Sequence, residues 1–436
     1  MNSTERWTIC RQNMGNILES LKKHVFRRRE RKHTYSRFQR YHEERLPIKK
    51  LTSVNHNTQE LDPLVVSTTT IQATDLPNGY TDFYLACRDN DYKKVRELLR
   101  TMTLDEVDRL DSNGSTALHA ACYYGNAKIV KLLLKKGADR AIQNKYECLP
   151  YDEAANDEIK ELFLRVPNSN RLVSDTGAIE WILIDDDVME TAKEERYIIK
   201  SLYDNSTGTT PIDKMFEKIE KNYINKGLTN VGGMKQIRRY FRKATEQQNT
   251  LWIIKAYTAE TDFYRILNNE IAAGASQYQN ERRYIIALIS HDIRLNELTF
   301  IGTAYRVVRI NNDELKKYEV DCSLMTKSFV SSSIDRKVAE LFLCQREATQ
   351  SETQVMTRKK IDGTLIKTWI MCRYEIKHRR TGLHIENPSQ YANEGEVLIM
   401  PYSVFQVKEI RKVQLPFFED DQFMTEIDLE ECDQYL

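Results

Sequence analysis

The sequence predicts two folded regions of different class, a short helical repeat solenoid followed by an α+β domain. Two observations carry that expectation. Between residues 81 and 166 one helix-turn-helix pattern recurs, ending in glycine where its middle copy stops. From about residue 185 helix-rich sequence runs to about 290, and short strand patterns then dominate from about 300 onward. That segregation of helices and strands argues for α+β and against a doubly wound sheet.

The 436 residues leave room for two or three domains, and 41% hydrophobic with 30% charged residues is ordinary for a soluble globular chain. The longest apolar stretches are short, such as Tyr284 to Ile289, so no membrane span of the usual ~20 residues is expected. The eight cysteines include no C-x-x-C pair, so reduced thiols are expected and neither a zinc ribbon nor a dense disulfide framework. The N-terminus lacks an apolar leader, which points to a cytoplasmic or nuclear location.

Net charge is +1, from 65 Lys+Arg and 64 Asp+Glu, but the average hides an asymmetry. Residues 1–50 hold 14 basic and 5 acidic side chains, including Arg27-Arg28-Arg29-Glu30-Arg31-Lys32. Met14, Ile17, Leu18, Leu21 and Val25 precede that run at helical spacing. The segment reads as a solvated, partly disordered arm or as a tether to a membrane surface, an import receptor or nucleic acid. Residues 1–80 are thus expected to be arm and linker, with few aromatics after residue 50. Glu419 to Leu436 carries 8 acids and no base, and residues 416–436 read as a solvated acidic tail, which could also screen the basic arm.

In the repeat region, Gly114-Ser115-Thr116-Ala117-Leu118-His119-Ala120-Ala121 leads through Tyr124-Gly125-Asn126 to Ile129-Val130-Lys131-Leu132-Leu133-Leu134 and Gly137-Ala138-Asp139. This closely resembles the ankyrin repeat. The resemblance implies that Thr116 starts a short helix, that His119 stitches neighbouring loops, and that Gly137 ends the second helix in a left-handed conformation. Degenerate copies flank it, at Leu85 to Leu99 and at Leu149 to Phe163. Three units make a minimal capped solenoid over 81–166. Such arrays bind protein, either an external partner or another part of the same chain, and His119 is expected to be structural.

Farther on, Leu251 to Tyr257 reads as a buried strand, with Thr258 capping a helix that presents Phe263, Ile266, Leu267 and Ile271 on one face. Strands are expected at Tyr305 to Ile310, Phe329 to Ser331, Thr368 to Tyr374, Val397 to Met400 and Val404 to Val407. Gly227 and Gly232 have P-loop spacing, but Gly233 stands where the phosphate-binding Lys belongs, so a plain loop is expected. His378 and His384 lack metal-ligand spacing, and no metal is expected.

Three separated polar elements stand out. Arg306 lies inside an otherwise apolar strand, as either a surface charge or an anion clamp. Phe329-Val330-Ser331-Ser332-Ser333 runs into a helix for which Asp335 is an N-cap, and alternation puts Ser331 on the face of Phe329 and Ser333. Glu394-Gly395-Glu396 precedes Val397-Leu398-Ile399-Met400-Pro401. If the strand begins by Glu394, both carboxylates project from one face with α-carbons roughly 6–7 Å apart. Two such acids are unfavourable neighbours without a cationic partner or a cationic transition state.

In this order the elements resemble the arginine-specific mono-ADP-ribosyltransferases, the Arg…Ser…Glu class. Supporting segments are Ala256-Tyr257-Thr258, Phe263-Tyr264 and Leu267-Asn268, then Tyr305-Arg306, then Phe329 to Ser333 with Val338-Ala339 and Phe342, and finally Glu394 to Pro401 with Phe405-Gln406-Val407. Ser332 stands where the family usually has Thr, and Val307 where Gly is common. The resemblance covers about 180–415 and implies an ADP-ribosyltransferase-type α+β domain with two packed β-sheets, NAD (or NADP) as co-substrate and an arginine-bearing protein as acceptor. It also implies Glu396 as the catalytic carboxylate, favouring the oxocarbenium-like charge as nicotinamide leaves. Ser331 would orient Glu396 and touch the nicotinamide ribose, and Arg306 would hold NAD phosphate. Glu394 would engage the acceptor guanidinium, and Tyr391, in the substrate-facing loop Asn387 to Asn393, would contact the acceptor. Hydrolysis of NAD uses the same carboxylates and stays open, as does a catalytically silent ankyrin scaffold, although such a scaffold has no need for Glu394 and Glu396 together.

Overall fold

The computed structural model describes residues 79–165, 173–174, 181–183, 187–204, 211–229, 231–311, 315–340, 367–414 and 423–433. The basic arm and the linker, up to residue 78, lie outside the described residues. The chain divides into two compact units, one ending at Phe163 and the other running from Leu164.

In the first unit, helices α1 (Asp82–Arg88) and α2 (Tyr92–Leu98) form one repeat, and α3 (Leu104–Val107) follows. The central repeat pairs α4 (Ala117–Tyr123) with α5 (Ala127–Lys136). Thr116 caps α4 and His119 lies three residues into it. His119 Nδ1 lies 2.8 Å from Thr116 Oγ1 and accepts from Thr116 N, while Nε2 lies 3.0 Å from the Cys148 carbonyl. An accepting Nδ1 leaves the proton on Nε2, so the ring donates to Cys148 and links two repeats. Asn126 Nδ2 reaches back to the carbonyls of Cys87 and Arg88 at 2.8 and 2.9 Å, which joins the first repeat to the second. Ile129, Val130 and Leu133 of α5 are buried, and Gly137 ends the helix at φ 99°, as expected. The third copy is reduced to turns at 150–153 and the short helix α6 (Asp157–Glu161). Replacing His119 by Ala leaves three buried polar groups without a ring partner. Chemical denaturation should then show a loss of about 1–3 kcal/mol in this unit.

The second unit opens with short strands β1 (Val173–Ser174) and β2 (Trp181–Leu183). Helices follow: α7 (Val188–Tyr203), α8 (Ile212–Lys218) continuing into a π-helical segment at Ile219–Gly227, α9 (Met234–Gln247), α10 (Leu251–Thr258), α11 (Phe263–Ala272) and α12 (Gln279–His291). The expected strand at Leu251 to Tyr257 is therefore α10. A short apolar run has no helical period to read when the helix is buried on most sides, and Ile253, Ile254, Ala256 and Tyr257 are all buried. Thr258 ends this helix; it does not cap the next one. Of the P-loop-like glycines, Gly227 ends the π-helical segment and Gly232 lies just before α9, where its N donates to the Asp262 carboxylate, a group that repels phosphate.

Nine more strands follow among the described residues: β3 (Thr299–Phe300), β4 (Gly302–Asn311), β5 (Ser323–Thr326), β6 (Val330–Ser333), β7 (Lys367–Ile376), β8 (Gly382–His384), β9 (Glu396–Ile399), β10 (Val404–Gln414) and β11 (Phe423–Glu431). Their order is β2-β5-β10-β11-β7-β4-β6-β9-β8-β3, with β1 parallel beside β4. Ladders of ten residue pairs join β4 to β7 and of four join β6 to β9, but β4 meets β6 only at Tyr305↔Ser333. The two-sheet expectation thus takes the form of two arms of one hydrogen-bonded path. Val330, Val397 and Ile399 of one arm share a core with Ile370, Tyr374, Phe405 and Ile427 of the other. The helices pack on the opposite face of the shorter arm, against Phe329, Leu383 and Leu398.

The acidic end is not a solvated tail. Phe423–Glu431 is β11, antiparallel to β10 and parallel to β7 inside the sheet. Its acids meet bases of neighbouring segments: Glu426 contacts Arg336 and Arg411, and Asp428 contacts Arg373 and Arg411. Ile427 and Leu429, two residues apart, face one core, and Met424 faces the core on the other side of the strand.

His291 closes α12, where a cation would suit the helix dipole. Burial, reinforced by Arg380 and Lys200, nevertheless pulls its pKa from 6.5 down to about 4. Between those values the unfolded chain holds more protons than the folded one, so stability falls as pH falls through that window. Thermal unfolding from pH 7 to pH 4 should show that loss, and His291→Gln should flatten it.

Candidate functional site

The two longest-range features of the site come from local structure around Gly395. Ala392–Glu394 makes one 3₁₀ turn, Gly395 takes φ 53°, and β9 begins at Glu396. Glu394 is therefore not on the strand, and the expected common strand face for the two carboxylates is replaced by a left-handed turn that separates them. A Cβ on Gly395 would stand 2.9 Å from Ile334 Cγ1, so both the conformation and the close approach require glycine. The turn is pinned on each side: Ile334 N donates to the Gly395 carbonyl, and Ser333 Oγ donates to the Glu394 carbonyl at 2.7 Å.

Glu396 follows this turn and is fully buried. It pairs directly with Ser333 across β6 and β9, while Ser331 pairs with Leu398. Directly paired residues share a face, so Ser331, Ser333, Glu396 and Leu398 lie together. Ser332 is on the other face, and its hydroxyl donates to the Val397 carbonyl at 2.9 Å. The hydroxyl that replaces the usual Thr is thus used to hold β6 to β9. Asp335 Oδ1 accepts from Lys337 N and caps the following helix, as expected.

Arg306 is buried, and its Nη1 donates to the Ser331 carbonyl at 2.6 Å. It is not a surface charge. Its guanidinium bridges β4 to β6 beside the point where their pairing thins to one residue pair. Val307, in place of the common Gly, is buried with Val338, Trp369, Met371 and Met424.

Glu394 meets a residue that sequence reasoning missed. Arg165 Nε and Nη2 donate to its two carboxylate oxygens at 2.8 and 2.9 Å. The guanidinium carbon lies 3.7 Å from the centre of the Tyr391 ring, and Nη1 is 3.7 Å from Glu260 Oε2. Tyr391 Oη donates to that same Glu260 oxygen. The Arg165 side chain is 2% exposed and Glu394 5%. Burial pulls the Arg165 pKa down, but Glu394, with further help from Tyr391 and Glu396, outweighs it and holds the pKa above its ordinary value. Arg165 therefore keeps its positive charge in spite of its burial.

The substrate-loop candidate is held from α10. Gln390 N donates to Thr258 Oγ1, which itself donates to the Ile254 carbonyl. Tyr257 Oη accepts from Asn268 Nδ2 at 2.9 Å, and the Tyr257 ring meets Phe329 at the start of β6. The Tyr257-Thr258 and Asn268 signals therefore position both the Tyr391 loop and the serine strand. Glu260 follows them by two residues and could have been flagged from that proximity; Arg165 had no local signal. His378 lies near Asp433, and His384, paired with Val397 across β8 and β9, lies near Glu386.

A family model described as ankyrin repeats in three copies matches residues 51–144. Similar curated proteins include alpha-latrotoxin-Lg1a of Latrodectus geometricus, 34% identical over 83 residues, or 19% of this chain and 6% of that protein. Inversin of Canis lupus familiaris is 40% identical over 76 residues, 17% of this chain and 7% of that protein. The chain thus spans only a small fraction of these relatives. Among solved structures, the Vis toxin of Vibrio splendidus, an ADP-ribosyltransferase, is 18% identical, covering 59% of this chain and 91% of that one at a TM-score of 0.25. HopU1 of Pseudomonas syringae, also an ADP-ribosyltransferase, is 15% identical, covering 56% and 97% at 0.30. The type III effector XopAI of Xanthomonas axonopodis is 14% identical, covering 56% and 99% at 0.34. Among the described residues no helix is long and apolar enough to cross a membrane.

Gly395→Ala places a side chain at a left-handed position against Ile334. The substitution should cost on the order of 1–3 kcal/mol in thermal unfolding, and amide exchange over 392–397 should speed up.

Proposed function

We propose that the second unit transfers ADP-ribose from NAD to the guanidinium of protein arginine, releasing nicotinamide, and that the ankyrin repeats bind a protein partner or target. The observation that carries the reading is that Glu394 grips a guanidinium with both oxygens while Glu396, one glycine away, is buried beside Ser331 and Ser333. The first carboxylate has the recognition geometry an arginine acceptor needs. The second has the low-dielectric setting in which a fixed negative charge most favours a cationic transition state.

The residues divide the work as follows. Glu396 stabilises positive charge on the ribose as the glycosidic bond to nicotinamide breaks. Ser331 presents its hydroxyl on the Glu396 face, positioned to orient that carboxylate and to meet the ribose. Arg306 sets the strand that carries Ser331 through its bond to the Ser331 carbonyl, and the holding of NAD phosphate is assigned to the same guanidinium. Glu394 orients the acceptor guanidinium and takes the proton it loses as nitrogen attacks, and Tyr391 supplies the ring surface on which the guanidinium lies. No residue in this scheme calls for a metal.

Hydrolysis of NAD is the second reading, favoured by one observation: Arg165 already fills the Glu394 carboxylate, which leaves water as the accessible acceptor. Labelled NAD and the small acceptor agmatine separate the two. Glu396→Gln should lower both nicotinamide release and transfer by on the order of 10²-fold. Glu394→Gln should abolish transfer to agmatine and spare nicotinamide release. Label transfer that persists in Glu396→Gln would refute the assigned chemistry.

A further inference from the structure

We infer that Arg165 is a built-in occupant of the acceptor site, so that the site binds a guanidinium of its own chain and an external arginine must displace it. This rests on the reading of Glu394 as the acceptor carboxylate and adds Glu260 as a second acid of the same subsite. Every element a free alkylguanidinium would use is already engaged. The Nε/Nη2 edge lies along Glu394 at 2.8 and 2.9 Å, the flat face lies 3.7 Å from the Tyr391 ring centre, and Nη1 points to Glu260 at 3.7 Å. Fork-to-carboxylate pairing combined with an aromatic face is the recognition chemistry of arginine in particular; lysine satisfies neither contact as well.

Charge balance explains why an occupant is present. Glu394 is buried, and a carboxylate withdrawn from water without a cation costs several kcal/mol. Arg165 supplies that cation across 229 residues of sequence. Glu260 is different: its side chain is 45% exposed, so it needs no neutralising partner. It marks the solvent side of the subsite, from which another guanidinium can arrive.

Occupancy by a tethered group lowers the apparent affinity for a free one. A tethered ligand acts at an effective concentration of roughly millimolar, and affinity falls in proportion to the fraction of molecules with the site open. Removing Arg165 should therefore tighten binding of a small guanidinium compound by about tenfold or more.

The test uses the full chain with agmatine as the probe, followed by calorimetry and by thermal unfolding. Arg165→Ala should bind agmatine at least about tenfold more tightly than the unaltered protein, and agmatine should raise its melting temperature more. Adding Glu394→Gln to Arg165→Ala should remove that binding, and Glu260→Gln should weaken it. Equal agmatine affinity with and without Arg165, or binding to Arg165→Ala that ignores Glu394→Gln, would overturn the proposal. If Arg165→Ala folds only when agmatine is present, that rescue supports it. If it does not fold at all, Arg165→Lys keeps the charge without the fork and should yield to agmatine at lower concentration; no difference from the unaltered protein overturns the proposal. Glu396-dependent nicotinamide release is measured in the same proteins. Its absence alongside tighter agmatine binding would refute the transferase reading while leaving the occupied guanidinium site in place.

Discussion

The second unit depends on how β4 meets β6. Backbone pairing between them is reduced to Tyr305↔Ser333, so the two arms of the sheet are held there by side chains as much as by the ladder. Arg306 bridges this gap by donating to the Ser331 carbonyl. An arginine buried among apolar strand residues costs desolvation free energy. That cost is offset where the guanidinium replaces missing ladder bonds and fixes the strand on which Ser331 and Ser333 stand. The serine strand in turn fixes β9 through four residue pairs, and with β9 the position of Glu396.

A second constraint follows from the first. Once β9 is fixed, the two acids of Glu394-Gly395-Glu396 can be placed apart only by a sharp turn, and the left-handed Gly395 held under Ile334 provides it. Glu396 enters the sheet, and Glu394 is directed to Arg165, Tyr391 and the neighbourhood of Glu260. Two carboxylates one glycine apart thereby acquire different surroundings, one on the strand face with the serines and one against a guanidinium. That is the usual way for a pair of acids to acquire separate roles.

Much of this was legible in the chain. The ankyrin pattern around His119 and Gly137 and the strands carrying Arg306, Ser331 and Glu396 reflect local chemistry with a fixed spacing, whereas Tyr257-Thr258 and Asn268 stood out only through the family resemblance. The misreadings have physical reasons. Leu251 to Tyr257 is a helix buried on most sides, which removes the periodicity that would have identified it. Phe423–Glu431 reads as a charged end because it carries Glu426, Asp428, Glu430 and Glu431 with no base of its own, yet Arg336, Arg373 and Arg411 neutralise it within the sheet. Both errors arise where a long-range partner overrides a local pattern.

Sequence alone therefore settled which residue types stand at each position of the repeat and of the strands, because caps, glycine turns and alternation act within a few residues. Tertiary structure decided which groups meet. The separation of Glu394 from the strand depends on Ile334 packing over Gly395, and the pairing of Glu394 with Arg165 joins residues 229 apart. Burial makes such a pairing necessary, since a desolvated carboxylate requires a cation, but only the folded chain determines which cation reaches it.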